Sequence, residues 1–272
     1  MTVAARLNGA RVTGALAFHR GLAYGDGVFR TCLIYGSYIS DLEKQLKVLS
    51  RDARRLGLRT DLQALKREST TLAAGQRRAV LKILLLRAGG ERGYRAQETR
   101  ADRLLLRFPA PAFPESTWTR GIKSTRSSFR LADQPALAGI KHLNRLEQVL
   151  ASRKWQGDEA IVCDALGRPH CGTRSNVFWV RGGVLRTPAL DRSGVAGFMR
   201  GKVLALAKTL RVPTNIGPGS WKELERADEA FVTNSLIGIW PLARLDARRW
   251  PGPGPVTREL MQRLDHPRLV TR

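Results

Sequence analysis

The chain has little of several features that define protein classes. No apolar run reaches the roughly 18 residues that a membrane-spanning helix needs, so no membrane partner is expected. The N-terminal residues MTVAARLNGARV lack the apolar core of a secretory signal. The three cysteines, Cys32, Cys163 and Cys171, are an odd number without metal-ligand spacing. These absences predict a reduced, cytoplasmic protein with no disulfide framework and no metal site.

Acidic residues are scarce relative to basic ones. The chain has 47 Lys and Arg against 23 Asp and Glu, a net charge of +24. Such a field attracts polyanions. The basic residues are nevertheless scattered along the whole chain, with no basic tail, RNA-binding signature or zinc finger. We therefore do not expect nucleic acid as the main partner, and a small anionic substrate is expected to benefit from the charge.

The first part of the chain alternates strand and helix patterns, without repeats or low-complexity segments. Residues 27–40 predict a β-hairpin, and residues 40–58 predict a helix that starts with a capping box of Ser40 and Glu43. A second helix is expected over 61–74, followed by strands in AVLKILLLR (79–87) and DRLLLRF (102–108). This order indicates an α+β unit.

Three prolines within residues 108–116 mark a change in pattern. They predict a small N-terminal α+β domain over 1–112, a linker over 113–120 and a larger α+β domain over 121–272. In the larger domain we expect a strand over 121–131 and a helix after Lys141 with its leucines on one face. Hairpins within 158–188, a helix over 199–210 and a strand ending at 233–235 complete the pattern.

Three features of the larger domain carry candidate chemistry. Lys141 follows a small apolar run, LAGI, where the chain enters its core. A lysine in a dry pocket loses its proton more easily and forms Schiff bases, although a solvated helix-start lysine fits the same pattern. Gly194 and Gly197 precede a helix, whose N-terminus attracts anions. With the polar turn 233–235, these features suggest a pyridoxal phosphate site.

The chain resembles the fold type IV pyridoxal phosphate enzymes, the group with the D-amino acid aminotransferase-like two-domain α+β fold. Within that group it is most similar to the aminodeoxychorismate lyases. The blocks that carry the resemblance are RGLAYGDGVF (20–29), RAGGERGY (87–94), LAGIKHLNRLEQVLA (137–151), GTRSNVFWV (172–180), GVAGFMR (194–200) and DEAFVTNSLIGIWP (228–241). The third block is the most specific, because it separates the lyases from related aminotransferases.

The resemblance implies roles for particular residues. Lys141 corresponds to the Schiff-base lysine, and it would also act as general base and acid. The phosphate-binding residues would be Val195, Ala196, Gly197, Asn234 and Ser235, and the substrate carboxylates would meet Arg30, Arg92 or Tyr94. The implied reaction converts 4-amino-4-deoxychorismate to 4-aminobenzoate and pyruvate in folate biosynthesis. The implied assembly is a homodimer.

Two departures from the family pattern leave alternatives open. Cys171 stands where a glutamate commonly pairs with the pyridine nitrogen, and Val48 stands where an arginine usually holds the phosphate. Lys44 or Arg51 could replace that arginine from a neighbouring helical turn. An aminotransferase of the same fold and a degenerate, non-catalytic homologue therefore remain as alternatives, and Cys171 is either a weak partner of the cofactor ring or a packing residue.

Overall fold

The chain folds into two compact units. The computed structural model describes residues 4–11, 19–36, 38–89, 93–153 and 157–271. The first unit contains the chain up to Pro111 together with Lys141–Asn144, and the second contains Ala112–Ile140 and Arg145–Arg272. Each unit combines helices with an extended sheet, as the α+β prediction requires.

The first unit is an antiparallel sheet with three helices. In chain order its elements are β1 (Ala4–Leu7), β2 (Ala10–Arg11), α1 (Arg20–Ala23), β3 (Gly27–Tyr35), β4 (Tyr38–Ile39), α2 (Leu42–Arg55), α3 (Leu62–Ala73), β5 (Arg78–Arg87) and β6 (Ala101–Pro109). The strand order is β2-β1-β6-β5-β3-β4. Helix α2 buries Leu46, Leu49 and Ala53, whose spacing of three and four residues places them on one side of the helix.

The two faces of this sheet carry different residues. Side chains that are paired directly across antiparallel strands point to the same face, and successive residues alternate between faces. Phe29 pairs with Leu84, and both belong to an apolar cluster with Leu86, Leu104 and Leu143. Arg30, one residue later, therefore points to the opposite face, toward α2.

The described part of the second unit has nine strands, against six in the first unit. Its elements are α4 (Ser116–Thr119), β7 (Ile122–Arg130), α5 (Leu146–Ala151), β8 (Glu159–Cys163), β9 (Pro169–Gly172), β10 (Asn176–Arg181), β11 (Val184–Thr187), α6 (Phe198–Thr209), β12 (Thr214–Ile216), α7 (Trp221–Glu225), β13 (Glu229–Asn234), β14 (Gly238–Leu245), β15 (Arg248–Arg249) and α8 (Pro255–Arg263). The sheet runs β12-β11-β10-β13-β14-β7-β8-β9, and β15 pairs with β14.

A single pairing closes part of this sheet into a ring. Strand β9 pairs with β8 and also with β10, where Cys171 lies opposite Asn176. Strands β10, β13, β14, β7, β8 and β9 therefore form a closed circuit. Helices α6 and α8 pack on it through a buried cluster that includes Phe178, Phe231 and Leu260.

Most predicted elements are confirmed. The hairpin of residues 27–40, the helices over 40–58 and 61–74, the two strands that follow, and the strands and helix of the second unit are all present near the expected bounds. The predicted capping box is wrong. Asp41, with a left-handed φ of 53°, precedes α2 without a side-chain cap, and Glu43 pairs with Lys66 on α3 at 2.5 Å.

The segment after Lys141 differs from its prediction. Residues 141–143 pair with β3 through an isolated bridge between His142 and Val28, in which Phe29 N donates to Lys141 O at 2.9 Å and Leu143 N donates to Gly27 O at 3.0 Å. Helix α5 starts only at Leu146. Because this bridge holds the preceding residues, Leu143 packs in the first unit and the α5 leucines stay exposed, Leu146 by 75% and Leu150 by 42%.

The boundary between the units also differs from the prediction in two respects. Residues 113–120, predicted as a linker, belong to the second unit, where Trp118 is buried and donates to Ile237 O at 3.2 Å. Aromatic packing therefore prevails over the proline signal in this segment. The Lys141–Asn144 segment belongs to the first unit because it pairs with β3.

Among the described residues, no helix is long and apolar enough to cross a bilayer. The same residues contain no cluster of three or more His, Cys, Asp or Glu side chains with the arrangement of a metal site.

Candidate active site

The glycine-rich turn predicted to bind phosphate leads directly into α6. Gly197 is the N-cap of this 12-residue helix. Gly139 N donates to Gly194 O, and Ala196 N donates to Gly139 O, both at 3.0 Å. The turn is thus paired with the residue that lies two positions before Lys141 in the sequence. The first N–H groups of a helix have no intrahelical partner, so this end can receive an anion.

Asn176 holds the turn in place from β10. Its Nδ2 donates to Val195 O at 2.9 Å. A Cβ atom added to Gly197 would overlap Asn176 Oδ1, so a side chain at this position would displace Asn176 from its bond to Val195 O. Asn176 also pairs with Cys171 on β9 and with Thr233, the residue before Asn234, on β13.

The second predicted phosphate contact is a polar turn after β13. Asn234 Oδ1 accepts hydrogen bonds from Leu236 N at 2.9 Å and Ile237 N at 3.2 Å, and its Nδ2 donates to Arg174 O at 3.3 Å. The Asn234 side chain is therefore used to shape the turn. Ser235 follows it and is half-buried.

His170 supports the turn from β9, next to Cys171. Its Nε2 lies 3.2 Å from Ser193 O and 3.0 Å from Ser193 Oγ. Since a carbonyl oxygen only accepts, the ring donates from Nε2. Burial lowers the pKa of His170, so the fold favours the neutral ring.

Cys171 is a buried thiol with apolar neighbours. It is 6% exposed and packs with Leu131, Ala151 and Val162. Burial raises the pKa of its thiol to about 12, which keeps it protonated at neutral pH. These surroundings favour the packing role that the sequence left open. Its role toward the cofactor ring stays a prediction.

We call these residues, His170, Cys171, Asn176, Gly194–Gly197 and Asn234–Ser235, the turn cluster.

Lys141 is the first member of a second cluster, in the first unit. Its backbone is fixed on both sides, because its N–H donates to Asp52 Oδ2 at 3.3 Å and its carbonyl accepts from Phe29 N at 2.9 Å. Its Nζ lies 4.6 Å from the centre of the Phe29 ring. The side chain is half-buried.

A second amine faces the same ring. Lys82 Nζ lies 4.8 Å from the Phe29 ring centre. Lys82 is half-buried on β5, and burial lowers the pKa of its amine. Its strand partner Thr31 points to the same face as Phe29. We call Phe29, Arg30, Asp52, Lys82 and Lys141 the lysine cluster.

The predicted substrate contact of Arg30 receives no support from its position and stays a prediction. Arg30 is 2% exposed and forms a buried ion pair with Asp52 on α2. Burial lowers the pKa of Arg30, and the charge of Asp52 partly opposes this shift. Strand alternation explains this position, since Arg30 points away from the face that carries Phe29 and Lys82.

The other predicted substrate contacts receive no support from these positions. Tyr94 is 91% exposed and makes an edge contact with Tyr24, with ring centres 5.6 Å apart. Arg92 lies outside the described residues. Their roles stay predictions.

No replacement for the phosphate arginine is evident around Val48. Lys44, on the preceding turn of α2, is 75% exposed on its side chain and lies 3.9 Å from Asp41. Arg51, on the following turn, is 54% exposed and pairs with Asp52 at 3.1 Å.

Sequence reasoning missed Asn176, Lys82 and Asp52. Each had a weak signal. Asn176 immediately precedes the apolar strand residues VFWV, and Lys82 interrupts the apolar strand AVLKILLL. Asp52 occupies the helix face that also carries Leu49 and Ala53, where a carboxylate requires a buried partner.

Comparisons with known proteins identify the family of the chain. The family model described as amino-transferase class IV matches residues 27–245. Aminodeoxychorismate lyase of Vibrio harveyi is 29% identical over 246 residues, which cover 89% of this chain and 91% of that protein. The branched-chain-amino-acid aminotransferase of Escherichia coli is 30% identical over 149 residues, covering 54% of this chain and 46% of that protein.

A solved structure confirms the fold. The crystal structure of 4-amino-4-deoxychorismate lyase from Pseudomonas aeruginosa is 40% identical, covers 96% of this chain and 97% of that chain, and superposes with a TM-score of 0.90. The expected fold type IV architecture and the resemblance to aminodeoxychorismate lyases are thereby confirmed. The chain belongs to the class IV aminotransferase family, whose members depend on pyridoxal phosphate.

Proposed function

We propose that this protein is a pyridoxal phosphate-dependent lyase that converts 4-amino-4-deoxychorismate to 4-aminobenzoate and pyruvate, a step in folate biosynthesis. The observation that carries the proposal is the pair of amines at Phe29. Lys141 Nζ and Lys82 Nζ lie 4.6 and 4.8 Å from its ring centre. Similarity to the Pseudomonas aeruginosa lyase over nearly the whole chain supports the same assignment.

Each cluster, taken by itself, contains groups whose chemistry suits part of the cofactor. Lys141 supplies an amine for the aldehyde, and the turn before α6 supplies backbone N–H groups for the phosphate. Asn176 lies close to Gly197 and bonds to Val195 O, so it fixes the backbone of this turn. Bound pyridoxal phosphate would supply electron withdrawal from the carbon that loses its proton.

The backbone of Lys141 is held by hydrogen bonds, whereas its side chain can change rotamer. Its N–H and carbonyl are both hydrogen bonded, so its movement is confined to the side chain. When the substrate amine takes the place of Lys141 at the aldehyde carbon, the Nζ of Lys141 becomes available as a base. It would then take the proton from the substrate ring carbon that carries the amino group. The same group would then return a proton to the departing enolpyruvate.

Lys82 is proposed to hold a substrate carboxylate. The substrate carries two carboxylates, whereas a branched-chain amino acid carries one carboxylate and an apolar side chain. A half-buried amine beside an aromatic ring suits the first ligand better, because a desolvated cation interacts strongly with an anion. This contact would favour the lyase substrate over an aminotransferase substrate.

Two further functions remain as alternatives. Partial similarity to the Escherichia coli branched-chain aminotransferase supports an aminotransferase. Cys171 and Val48, which replace two family cofactor contacts, support a degenerate homologue. The protonated Cys171 thiol weakens the aminotransferase reading more than the lyase reading, because the lyase reaction gains the aromaticity of its product.

The protein is also proposed to act as a homodimer in the cytoplasm. The exposed apolar side chains of α5 support self-association, since Leu146, Val149 and Leu150 are 75%, 51% and 42% exposed. Light scattering that gives the mass of a single chain at micromolar concentration would contradict the dimer.

The function is tested by measuring both products and the competing reaction. The full chain with pyridoxal phosphate should convert 4-amino-4-deoxychorismate to equal amounts of 4-aminobenzoate and pyruvate. A parallel reaction contains leucine and 2-oxoglutarate, and glutamate is measured. Lys141→Ala serves as the inactive control.

The three functions give different results. Equal yields of 4-aminobenzoate and pyruvate support the lyase. Faster formation of glutamate than of 4-aminobenzoate would identify an aminotransferase. No product in either reaction, with no change in the visible absorbance of added pyridoxal phosphate, would identify a degenerate homologue.

A further inference from the structure

Asp52 is a buried carboxylate whose two oxygens are both used. It is 1% exposed on α2. Its Oδ2 accepts from Arg30 Nη2 and from the backbone N–H of Lys141, the latter at 3.3 Å. Its Oδ1 accepts from Arg51 Nη2 at 3.1 Å. Helix α2, strand β3 and the Lys141 segment therefore meet at one side chain.

The contact of Asp52 with Lys141 is made to the backbone N–H. An edge strand leaves N–H groups without strand partners. The Lys141 carbonyl is paired with Phe29 N, but its N–H is satisfied by the Asp52 side chain instead of by a strand. A helix residue thus completes the pairing of the segment that carries the amine.

We propose that Asp52 is a positioning residue for Lys141: its carboxylate fixes the Lys141 backbone, and Arg30 holds that carboxylate in place. The inference rests on the proposed role of Lys141 and deepens it. It also gives Arg30 a role different from the substrate contact that the sequence suggested.

Arg30 is needed because a lone buried carboxylate is unfavourable. Removing one partner of a buried ion pair leaves an uncompensated charge, whereas replacing both partners is often tolerated. Arg51 cannot substitute for Arg30, since its side chain is 54% exposed and screened by solvent. The test must therefore change Arg30 and Asp52 together.

Two double variants differ only in the acceptor offered to Lys141. Arg30→Met with Asp52→Asn removes both charges and keeps an oxygen at position 52. Arg30→Met with Asp52→Leu removes both charges and the oxygen. Both variants lack the ion pair between α2 and β3. A difference between them therefore reports the contact of residue 52 with the Lys141 N–H.

The first measurement is amide hydrogen exchange in the cofactor-free full chain. The Lys141 amide should exchange about tenfold faster in the Leu variant than in the Asn variant, the effect of one lost hydrogen bond. The Ala101 amide, which donates to Arg59 O in the same unit, is the reference and should not differ between the variants.

The second measurement separates positioning from general stability. Covalent capture of pyridoxal phosphate, trapped by borohydride, should be about tenfold slower in the Leu variant. Pyridoxamine 5′-phosphate has an amine in place of the aldehyde and needs no reaction with Lys141. Its affinity should therefore agree within twofold between the variants.

Several outcomes would overturn the proposal. Equal Lys141 exchange rates in the two variants would do so, as would a loss of pyridoxamine phosphate affinity equal to the loss in capture rate. If the Leu variant does not fold, the parent protein decides: an unprotected Lys141 amide contradicts the proposal, and a protected one supports it. Because exchange is measured without cofactor, it stays informative even if no cofactor attaches to Lys141, a result that contradicts only the proposed function.

Discussion

The turn cluster and the lysine cluster differ in the chemical groups that would bind a ligand. In the turn cluster, backbone groups are shaped by neutral side chains: Asn176 bonds to Val195 O, Asn234 bonds to two backbone amides, and a neutral His170 bonds to Ser193. In the lysine cluster, charged side chains are themselves the functional groups. Arg30 and Asp52 form a buried pair behind β3, while Lys82 and Lys141 share the Phe29 ring in front.

Because of this difference, the two clusters should respond to different kinds of substitution. A backbone turn depends on shape, so a single methyl group can block it. A charged cluster depends on which face of a strand each side chain occupies and on whether each charge has a partner. Substitutions should therefore act through fit in the turn cluster and through charge in the lysine cluster.

The largest effect is expected at Lys141. Lys141→Ala removes the group that would attach the cofactor and carry the proton, so kcat should fall by about 10²–10⁴. The protein should still fold, because the Lys141 contacts with Asp52 and Phe29 use backbone atoms that alanine retains. Steady-state 4-aminobenzoate formation and urea unfolding provide the two readouts. Activity within tenfold of the parent would contradict the proposed role.

A smaller effect is expected at the second amine. Lys82→Met keeps the apolar length of the side chain and removes its charge, so KM for 4-amino-4-deoxychorismate should rise about 10- to 100-fold, the worth of one charge-assisted contact. Covalent attachment of the cofactor should persist. Unchanged KM, or loss of attachment, would show that Lys82 does not serve the substrate.

The turn cluster is tested by a matched pair of glycine substitutions. Gly197→Ala places a methyl group against Asn176, and it should lower the free energy of unfolding by about 1–3 kcal/mol and weaken cofactor binding. Gly201→Ala, in the same helix, meets no atom within 4 Å and should stabilise the protein by about 0.4–1 kcal/mol. Urea unfolding measures both. Equal effects of the two changes would contradict the fit argument.

The smallest effect is expected from His170. Burial lowers its pKa from the ordinary 6.5, so its contribution to stability is present above that value and is lost as the pH falls. His170→Gln keeps a donor for Ser193 O and does not titrate. Between pH 7.5 and 5.5 the parent should therefore lose more stability than the variant, as measured by urea unfolding at each pH. The nearby charges of Asp164, Arg168 and Asp191 are common to both proteins. Parallel pH profiles would contradict this assignment.

The sequence predicted the turn cluster better than the lysine cluster for a physical reason. Gly194 and Gly197 precede a helical segment, and this local pattern alone predicts the turn before α6. The patterns that predict strands and helices also depend on residues near in sequence, so most of these elements were predicted near their observed bounds. Asn176 was missed because its side chain acts across strands, which depends on the pairing of β9, β10 and β13.

The lysine cluster depends on contacts that no local pattern contains. Arg30 was predicted to contact substrate because its position in the motif was known, whereas the face of the sheet to which its side chain points was not. Only the pairing of β3 with β5 shows that Phe29 and Lys82 share a face and that Arg30 points toward α2. Likewise, the helix predicted after Lys141 was misplaced because pairing of residues 141–143 with β3 is a long-range contact.

The central claim, that Lys141 carries the cofactor, is tested most directly by borohydride reduction of the full chain with pyridoxal phosphate, followed by peptide mapping. Lys82 is the internal rival, because its amine lies at nearly the same distance from Phe29. The account predicts a stable phosphopyridoxyl label on the peptide that contains Lys141, retained in Lys82→Met and absent in Lys141→Ala. A label on Lys82 or another lysine, or no label on a folded protein, would contradict it.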